Sequence, residues 1–237
     1  MYLSIIIPLY NEQHLIPELL DKLQLVSFPL YVQKWEIIII DDCSSDESYE
    51  IVKNYIQNRP GISIYKHEVN KGKGAAVRTG IGYATGDVFL IQDADLELSP
   101  SDIPSMLMAM QELNVQFING SRYLPGISRP LSSYKRYLAN RFFTFITSFL
   151  INVKLSDVAC GYKLIKKELY EKIKLKENRF GFEAELIIKA MRIKKNNIAE
   201  VPVNYFPRNS GDGKKLQNMD ALKILNTIFK YAVLRKE

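Results

Sequence analysis

The sequence predicts an α/β protein built on a mostly parallel, doubly wound sheet with helices on both faces. Three observations predict it. Short apolar runs recur through the first ninety residues: "LSIIIPL" (3–9), "EIIIIDD" (36–42), "ISIYKH" (62–67) and "DVFLIQD" (87–93). These runs are continuously apolar, as strands buried on both faces are. Segments of helical spacing separate them, and strands alternating with helices pair in parallel through crossovers.

The elements follow in chain order. After the first run, "NEQHLIPELLDKLQLV" (11–26) sets Leu15, Leu19, Leu20 and Leu23 on one helical face. "SDESYEIVKNYIQN" (45–58) predicts a second helix with Ser45 or Asp46 as its N-cap. "GKGAAVRTGIGYA" (72–84) reads as a glycine-rich turn opening a third. Beyond residue 98, "FINGSRY" (117–123) predicts a strand and turn, and "SSYKRYLANRFFTFITSFLI" (132–151) a long helix. "SDVACGYKLIKKE" (156–168) reads as a loop and short strand, and "FEAELIIKAMRIK" (182–194) as a helix. "IAEVPVNYF" (198–206) is a strand, and the chain closes in a helix from about residue 216. Nothing resembling a linker or a repeat divides the chain, so one domain is expected over 1–237.

Charge is uneven. Residues 161–237 hold 18 Lys+Arg and 9 Asp+Glu, and residues 1–160 hold 14 and 17, giving +6 for the whole. A basic final third suggests an anionic partner met by the second half of the chain. The two cysteines, Cys43 and Cys160, form no disulfide framework or zinc spacing, so a reducing, cytoplasmic setting is expected. His14 and His67 form no metal or triad set and read as surface or satisfied polar residues. The N-terminal run has strand length and no basic leader, so no signal peptide is expected. The longest apolar-rich stretch, residues 142–153, has 12 residues against about 20 for a membrane span.

In open parallel sheets ligands bind at the carboxyl ends of the strands. Polar residues gather at those ends: Pro8, Tyr10, Asn11 and Glu12 after the first strand, Asp41 and Asp42 after the second, Asp93, Asp95 and Glu97 after the fourth. If residues 93–97 are extended, alternate side chains share a face, and the three acids can present oxygen ligands to one Mg²⁺ or Mn²⁺ ion. A solvated acidic turn is the alternative, made less attractive by the other acidic strand ends. Asp41 and Asp42 can accept from a nucleobase N–H or ribose hydroxyls, or else cap the next helix. Lys71, Lys73 and Gly74 open a helix whose exposed N–H groups can meet phosphate.

These segments resemble a known family. "IIIPLYNE", "IIIIDDCSSDES", "NKGKGAAVRTGI", "GDVFLIQDADLELSPSDI", "NGSRY", "SDVACGYKLIKKE" and "GFEAELIIKA" follow, in order, the motifs of inverting family 2 glycosyltransferases of the GT-A fold. The branch most similar is the polyprenyl-phosphate one, with dolichyl-phosphate β-glucosyltransferases and dolichol-phosphate mannose synthases. The resemblance runs from about residue 3 to 215. It implies a nucleotide-binding half to about residue 97, an acceptor half over about 98–215, and a terminal amphipathic helix over about 216–235. It implies nucleotide-sugar contacts at Pro8, Tyr10, Glu12 and Asp41, with Asp42 following, and at Asp93 and Asp95; Asn11, Lys71, Lys73, Gly74 and Ala94 stand beside these as further candidate contacts. Asp93 and Asp95 match the D-x-D that holds metal and diphosphate, and Glu97 a further ligand. Arg122 matches an arginine near the donor or acceptor phosphates, and Asp157, Cys160 and Lys163 a segment between donor and acceptor. Arg208, Lys214 and Lys215 match a basic loop that closes on the diphosphate. Cys43 departs from the pattern, standing where many relatives have glycine.

The resemblance implies hexose transfer, glucose or mannose, from UDP-glucose or GDP-mannose to a polyprenyl phosphate, with Mg²⁺ or Mn²⁺. A phosphate acceptor is already anionic at neutral pH and needs no general base. A saccharide hydroxyl acceptor would need one, and Asp157, Glu183 or Glu185 can fill that role. A non-catalytic nucleotide-binding or membrane-scaffolding subunit is the alternative of another class. Lys135, Arg136 and Arg141 beside Phe142, Phe143, Phe145 and Phe149 suit a helix lying on an anionic membrane surface, or one packed on the sheet or a partner. A peripheral location at the cytoplasmic face, with or without a membrane-embedded partner protein, is expected, and no nucleic-acid partner.

Overall fold

The computed structural model describes residues 1–126, 133–179, 181–193, 197–208 and 218–234. Among them one sheet is formed by β1 (Tyr2–Leu9), β2 (Lys34–Asp41), β3 (Ile62–Lys66), β4 (Val88–Ile91), β5 (Phe117–Ser121), β6 (Lys163–Lys166) and β7 (Ile198–Pro202). The spatial order is β3-β2-β1-β4-β6-β5-β7. All neighbours pair in parallel except β6, which runs antiparallel to both β4 and β5. The helices are α1 (Ile16–Gln24), α2 (Ser48–Tyr55), α3 (Lys73–Tyr83), α4 (Ile103–Glu112), α5 (Tyr134–Ile151), α6 (Lys167–Tyr170), α7 (Phe182–Ile193) and α8 (Asn218–Ile228). A π-helical turn, Phe229–Val233, prolongs α8.

The period of two in each strand divides the interior into two cores. Leu3, Ile5, Ile7 and Leu9 of β1, with Ile37, Ile39, Val88 and Leu90, meet α1 and α4 on one face. Ile6, Ile38, Ile40, Phe89 and Ile91 meet α3, α5, α7 and α8 on the other. Burying an Ile or Leu contributes about 1.5–3 kcal/mol. Ile16, Leu19, Leu20 and Leu23 therefore dock α1 firmly, although it has no side-chain cap. From β1 the chain steps outward through β2 and β3, then returns to β4 on the other side. That reversal opens a crevice at the carboxyl ends of β1 and β4, where Pro8–Glu12 and Asp93–Glu97 lie.

Three expectations are corrected, and one helix that the sequence did not announce is added. The first helix begins at Ile16 rather than near residue 11, because residues 11–13 are tied to the 44–48 loop. The cap of α2 falls at Glu47, although Asp46 still accepts from the Ser48 N–H at 3.0 Å. Helix α4 was not legible, because Pro104 and the mixed run after Pro100 hide its spacing. Strand β4 ends at Ile91, so residues 93–97 form a turn, with Leu96 in the left-handed region. None of the described helices is long and apolar enough to cross a membrane.

Candidate active site

A cleft of about 510 Å³ runs along the carboxyl edge of the sheet. Pro8, Tyr10, Glu12 and Asp42 line it from the first strands, Asp93, Ala94, Asp95 and Glu97 from the turn after β4, and Arg122 from the end of β5. Neighbouring strands lie about 4.8 Å apart, so the three steps from β1 to β5 carry the cleft across about 14 Å. Lys73, Gly161, Glu183, Tyr205 and Arg208 complete the walls.

The acids are not stacked on one extended face. Asp95 Oδ1 accepts from the Glu97 N–H at 3.1 Å, which closes the turn and separates the side chains. Each acid finds a cation of the chain itself. Lys73 Nζ lies 2.6 Å from Asp93 and 2.7 Å from Glu183. Arg208 reaches Asp95 and Glu12, both at 3.0 Å. Glu97 accepts from the Arg208 backbone N–H and the Tyr205 hydroxyl, both at 3.1 Å. So the expected three-carboxylate metal cage is not assembled: among the described residues no group of three or more acidic, His or Cys side chains is placed to hold an ion. Glu97 instead anchors the segment that carries Arg208.

Negative charge is nonetheless in excess here. Burial, then the charges of Asp93 and Glu97, push the Asp95 carboxyl up to about 6 despite Arg208. Lys73 loses solvation on burial, yet Asp93 and Glu183 hold its ammonium well above the usual lysine value. Arg208 is likewise raised, against burial, by Asp95, Glu12 and Glu97. Carboxylate oxygens in surplus, with neither sulfur nor imidazole among them, form a donor set that fits a hard divalent cation at Asp93 and Asp95. Gly161 keeps that carboxylate in place, since a Cβ there would collide with Asp93 Oδ2.

At the other end Arg122 is held by a fixed counter-ion. Its Nε and one terminal nitrogen donate to Asp157 at 2.7 and 2.9 Å, and its backbone N–H at 3.1 Å. Asn140 Nδ2 and the Ala159 N–H add two further bonds to the same carboxylate. Burial opposes ionisation of Asp157, but Arg122 overrides it and holds the carboxyl below its ordinary value. A carboxylate so occupied is a poor general base, so Asp157 positions Arg122 instead. Lys163 is also relocated. It is fully buried, donating to Asn119 Oδ1 at 2.5 Å and the Cys160 carbonyl at 2.6 Å, and burial lowers its pKa. It braces β5 against β6 and does not line the cleft. Cys160 is equally enclosed, its thiol pushed up to about 11 by burial and by Asp157. Glu185 accepts from the Lys176 and Glu177 N–H groups, which leaves Glu183 as the acid of the second half that faces the cleft.

The residues at the ends of β1 and β2 and at the start of α3 split into exposed and internal roles. Asp42 is spent on the fold: it accepts from the Lys71 and Gly72 N–H groups at 2.8 and 2.7 Å and from His67 at 2.7 Å. It thereby fixes the turn into α3, where Gly72 sits at φ +94°. His67 is thus a satisfied polar residue, its other nitrogen 2.9 Å from Thr79. Asn11, itself left-handed at φ +52°, ties Ser44 and Ser45 to the end of β1. Gly74 allows α3 to pack tightly on Glu177 and Phe182 and lies outside the cleft, as does Lys71. Asp41 is different. Fully buried, it accepts from the Ser44 N–H through Oδ2, while Oδ1 has no hydrogen-bond partner among the described residues. Lys214 and Lys215 lie outside the described residues. Sequence reasoning missed Tyr205, whose ring centroid is 5.1 Å from the Arg122 guanidinium carbon, and the Asp93–Lys73–Glu183 chain. Pairings between residues far apart in the chain leave no local pattern.

Comparisons with known proteins agree with this fold. A model of "Glycosyl transferase family 2" matches residues 4–174. Dolichyl-phosphate beta-glucosyltransferase ALG5A of Trichomonas vaginalis is 28% identical over 249 residues, covering 100% of this chain and 74% of that protein. Dolichol-phosphate mannosyltransferase of Pyrococcus furiosus is 28% identical over 216 residues, covering 90% of this chain and 59% of that protein. Among solved structures, glucosyl-3-phosphoglycerate synthase from Mycobacterium tuberculosis, with Mn²⁺, UDP and phosphoglyceric acid, superposes with a TM-score of 0.76 at 17% identity. It covers 98% of this chain and 78% of that one, and the likeness shows the shared GT-A fold.

Proposed function

We propose, because this chain belongs to glycosyl transferase family 2 and is a glycosyltransferase, that it transfers glucose or mannose from a nucleoside diphosphate sugar to a polyprenyl phosphate. The names of the relatives, one a glucosyltransferase and one a mannosyltransferase of dolichyl phosphate, support that acceptor class. The observation that carries the reading is the polarity of the cleft: carboxylates at the β1–β4 crevice, and a clamped guanidinium, Arg122, at β5.

In this reading the base inserts beside Pro8 and Tyr10, and a base N–H or ribose hydroxyl satisfies Asp41 Oδ1, an acceptor whose burial without a partner costs about 1–3 kcal/mol. The diphosphate lies over Asp93 and Asp95. A divalent cation held there would neutralise the charge that develops on the leaving diphosphate. Arg208, already drawn into the site by Glu12 and Asp95, supplies fixed positive charge to the same oxygens. Arg122 receives the acceptor phosphate. Asp157 keeps the guanidinium aimed and charged, so an already anionic oxygen attacks the sugar carbon opposite the leaving group and no proton is removed. Such a lipid places the enzyme at a membrane surface, at its cytoplasmic face.

Incubation with UDP-glucose or GDP-mannose, a short-chain polyprenyl phosphate and Mn²⁺ should yield a lipid-linked hexose, and EDTA should abolish it. No product from either donor would count against the reading. A saccharide hydroxyl acceptor is the second reading, favoured by Glu183 on the cleft wall. It predicts that Glu183→Gln removes transfer with an acid-limited pH profile, whereas the phosphate reading predicts no such limb.

A further inference from the structure

From the basic final third of the chain, the described residues lining the cleft include two cations, Arg179 and Arg208. More of that charge gathers at a second cavity. It encloses about 790 Å³ between α3, α8 and the residues just ahead of α7. Its cations are Lys71, Arg78, Lys176, Arg179, Lys223 and Lys230, and four of these six come from the basic third. Among the described residues that line it the one acid is Glu177. That carboxylate is already engaged, accepting from Lys230 Nζ at 2.8 Å and from the Tyr231 hydroxyl at 3.1 Å. A concave wall carrying one sign of charge focuses its field and draws counter-ions.

The cavity is preformed. Arg78 donates to the Glu177 carbonyl at 2.7 Å and to the Asn178 side chain, neutral acceptors that fix the guanidinium without cancelling its charge. The Ala75 N–H donates to the Asn178 carbonyl at 3.2 Å, and a Cβ on Gly74 would collide with the Glu177 carbonyl, so this wall is pressed against α3. Gly181 sits as closely on Thr227 of α8. Lys71 and Arg179 form no ion pair among the described residues.

We propose that this cavity binds a small anion of two or more linked phosphate groups, at a site separate from the donor and acceptor seats of the cleft. The lining selects the ligand class. Among its described residues there is no aromatic side chain to stack a base, and no Val, Leu, Ile or Met to meet a hydrocarbon chain. Beside the cations it offers the amides of Asn70 and Asn226. Cations carried on three separate elements suit an anion whose charge is spread over several centres, rather than a single carboxylate. Asn70 and Arg179 border the cleft as well, so the two cavities adjoin. The site needs neither the metal nor the sugar of the proposed reaction and stands or falls apart from it.

The test is isothermal titration calorimetry of the full chain with inorganic pyrophosphate, in buffer containing EDTA. The wild type should bind pyrophosphate at least about ten-fold more tightly than sulfate. Lys176→Glu/Lys223→Glu should weaken pyrophosphate binding by at least about ten-fold, as the loss of charge-assisted bonds does. Arg122→Gln and Arg208→Gln, altered in the cleft, should keep wild-type affinity. Lys176 and Lys223 are exposed, so the double variant should keep the wild-type urea midpoint. If it does not, Asn226→Asp, which sets a carboxylate on the same wall, takes its place. The double variant should also keep hexose transfer, which separates this site from the reaction in the cleft. Absence of pyrophosphate binding, or sulfate bound as tightly, overturns the inference. So does an affinity that is lost in Arg122→Gln or Arg208→Gln and kept in the double lysine variant.

Discussion

Two arginines face the same cleft and are held in opposite ways. Arg122 meets a fully buried carboxylate, Asp157, in a two-pronged grip at 2.7 and 2.9 Å. Arg208 spreads over Glu12, which is buried, and Asp95, which is part-exposed, at 3.0 Å each, and its backbone is tied to Glu97. The first arrangement is a fixture, since moving Arg122 would leave a charge stranded in the interior. The second is exchangeable: the same acids can turn to another cation or let Arg208 turn to a phosphate. A glycosyltransferase needs both behaviours, a rigid seat for one substrate and a closing contact for a leaving group.

The largest way to break this contrast is Asp157→Asn. Stranding a buried guanidinium should cost about 3–5 kcal/mol of folding stability, measured by urea unfolding. The same variant carries a pH signature. Asp157 has a folded pKa below the ordinary 3.8, so it contributes fully above 3.8 and that contribution fades as pH falls through the folded value, where the native state too takes up the proton. The acid-side loss of stability should therefore be shallower in Asp157→Asn than in the wild type.

Arg208→Gln should behave in the reverse sense. Transfer should fall about 10²–10³-fold, as when a fixed donor to a developing oxyanion is removed, while stability falls by only about 1 kcal/mol. A stability loss matching that of Asp157→Asn would erase the distinction. The smallest effect lies away from both arginines. Cys43 stands at φ +63°, a left-handed conformation that costs a side-chain-bearing residue about 1–2 kcal/mol. Cys43→Gly relieves that strain at some expense in unfolded-chain entropy, and should raise stability by up to about 1 kcal/mol with donor binding unchanged.

The asymmetry also explains what could be read from the sequence. Strands and their order of appearance were legible because burial on both faces writes continuous apolar runs such as Ile37–Ile40. Pro8, Tyr10, Glu12, Asp93, Ala94, Asp95, Arg122 and Arg208 do line the cleft, because strand ends fix where they emerge. Partnerships were not legible. Nothing near Lys163 shows that its ammonium turns inward to Asn119, or near Asp42 that its carboxylate closes the 71–72 turn. Helix α5 was legible only in part: its aromatic residues fitted a membrane surface or packing on the sheet or a partner alike, and the bonds of Asn140 and Thr144 to Asp157 and Val158 are what turn Phe142, Phe145 and Phe149 outward.

The most direct test of the two-ended cleft is to measure donor and acceptor binding separately in Arg122→Gln and Arg208→Gln, by calorimetry with the nucleoside diphosphate and by KM for the polyprenyl phosphate. Arg122→Gln should raise the acceptor KM and leave nucleotide affinity unchanged, and Arg208→Gln should weaken the nucleotide and spare the acceptor. If both substitutions weaken the same substrate, the cleft does not have the two ends described here.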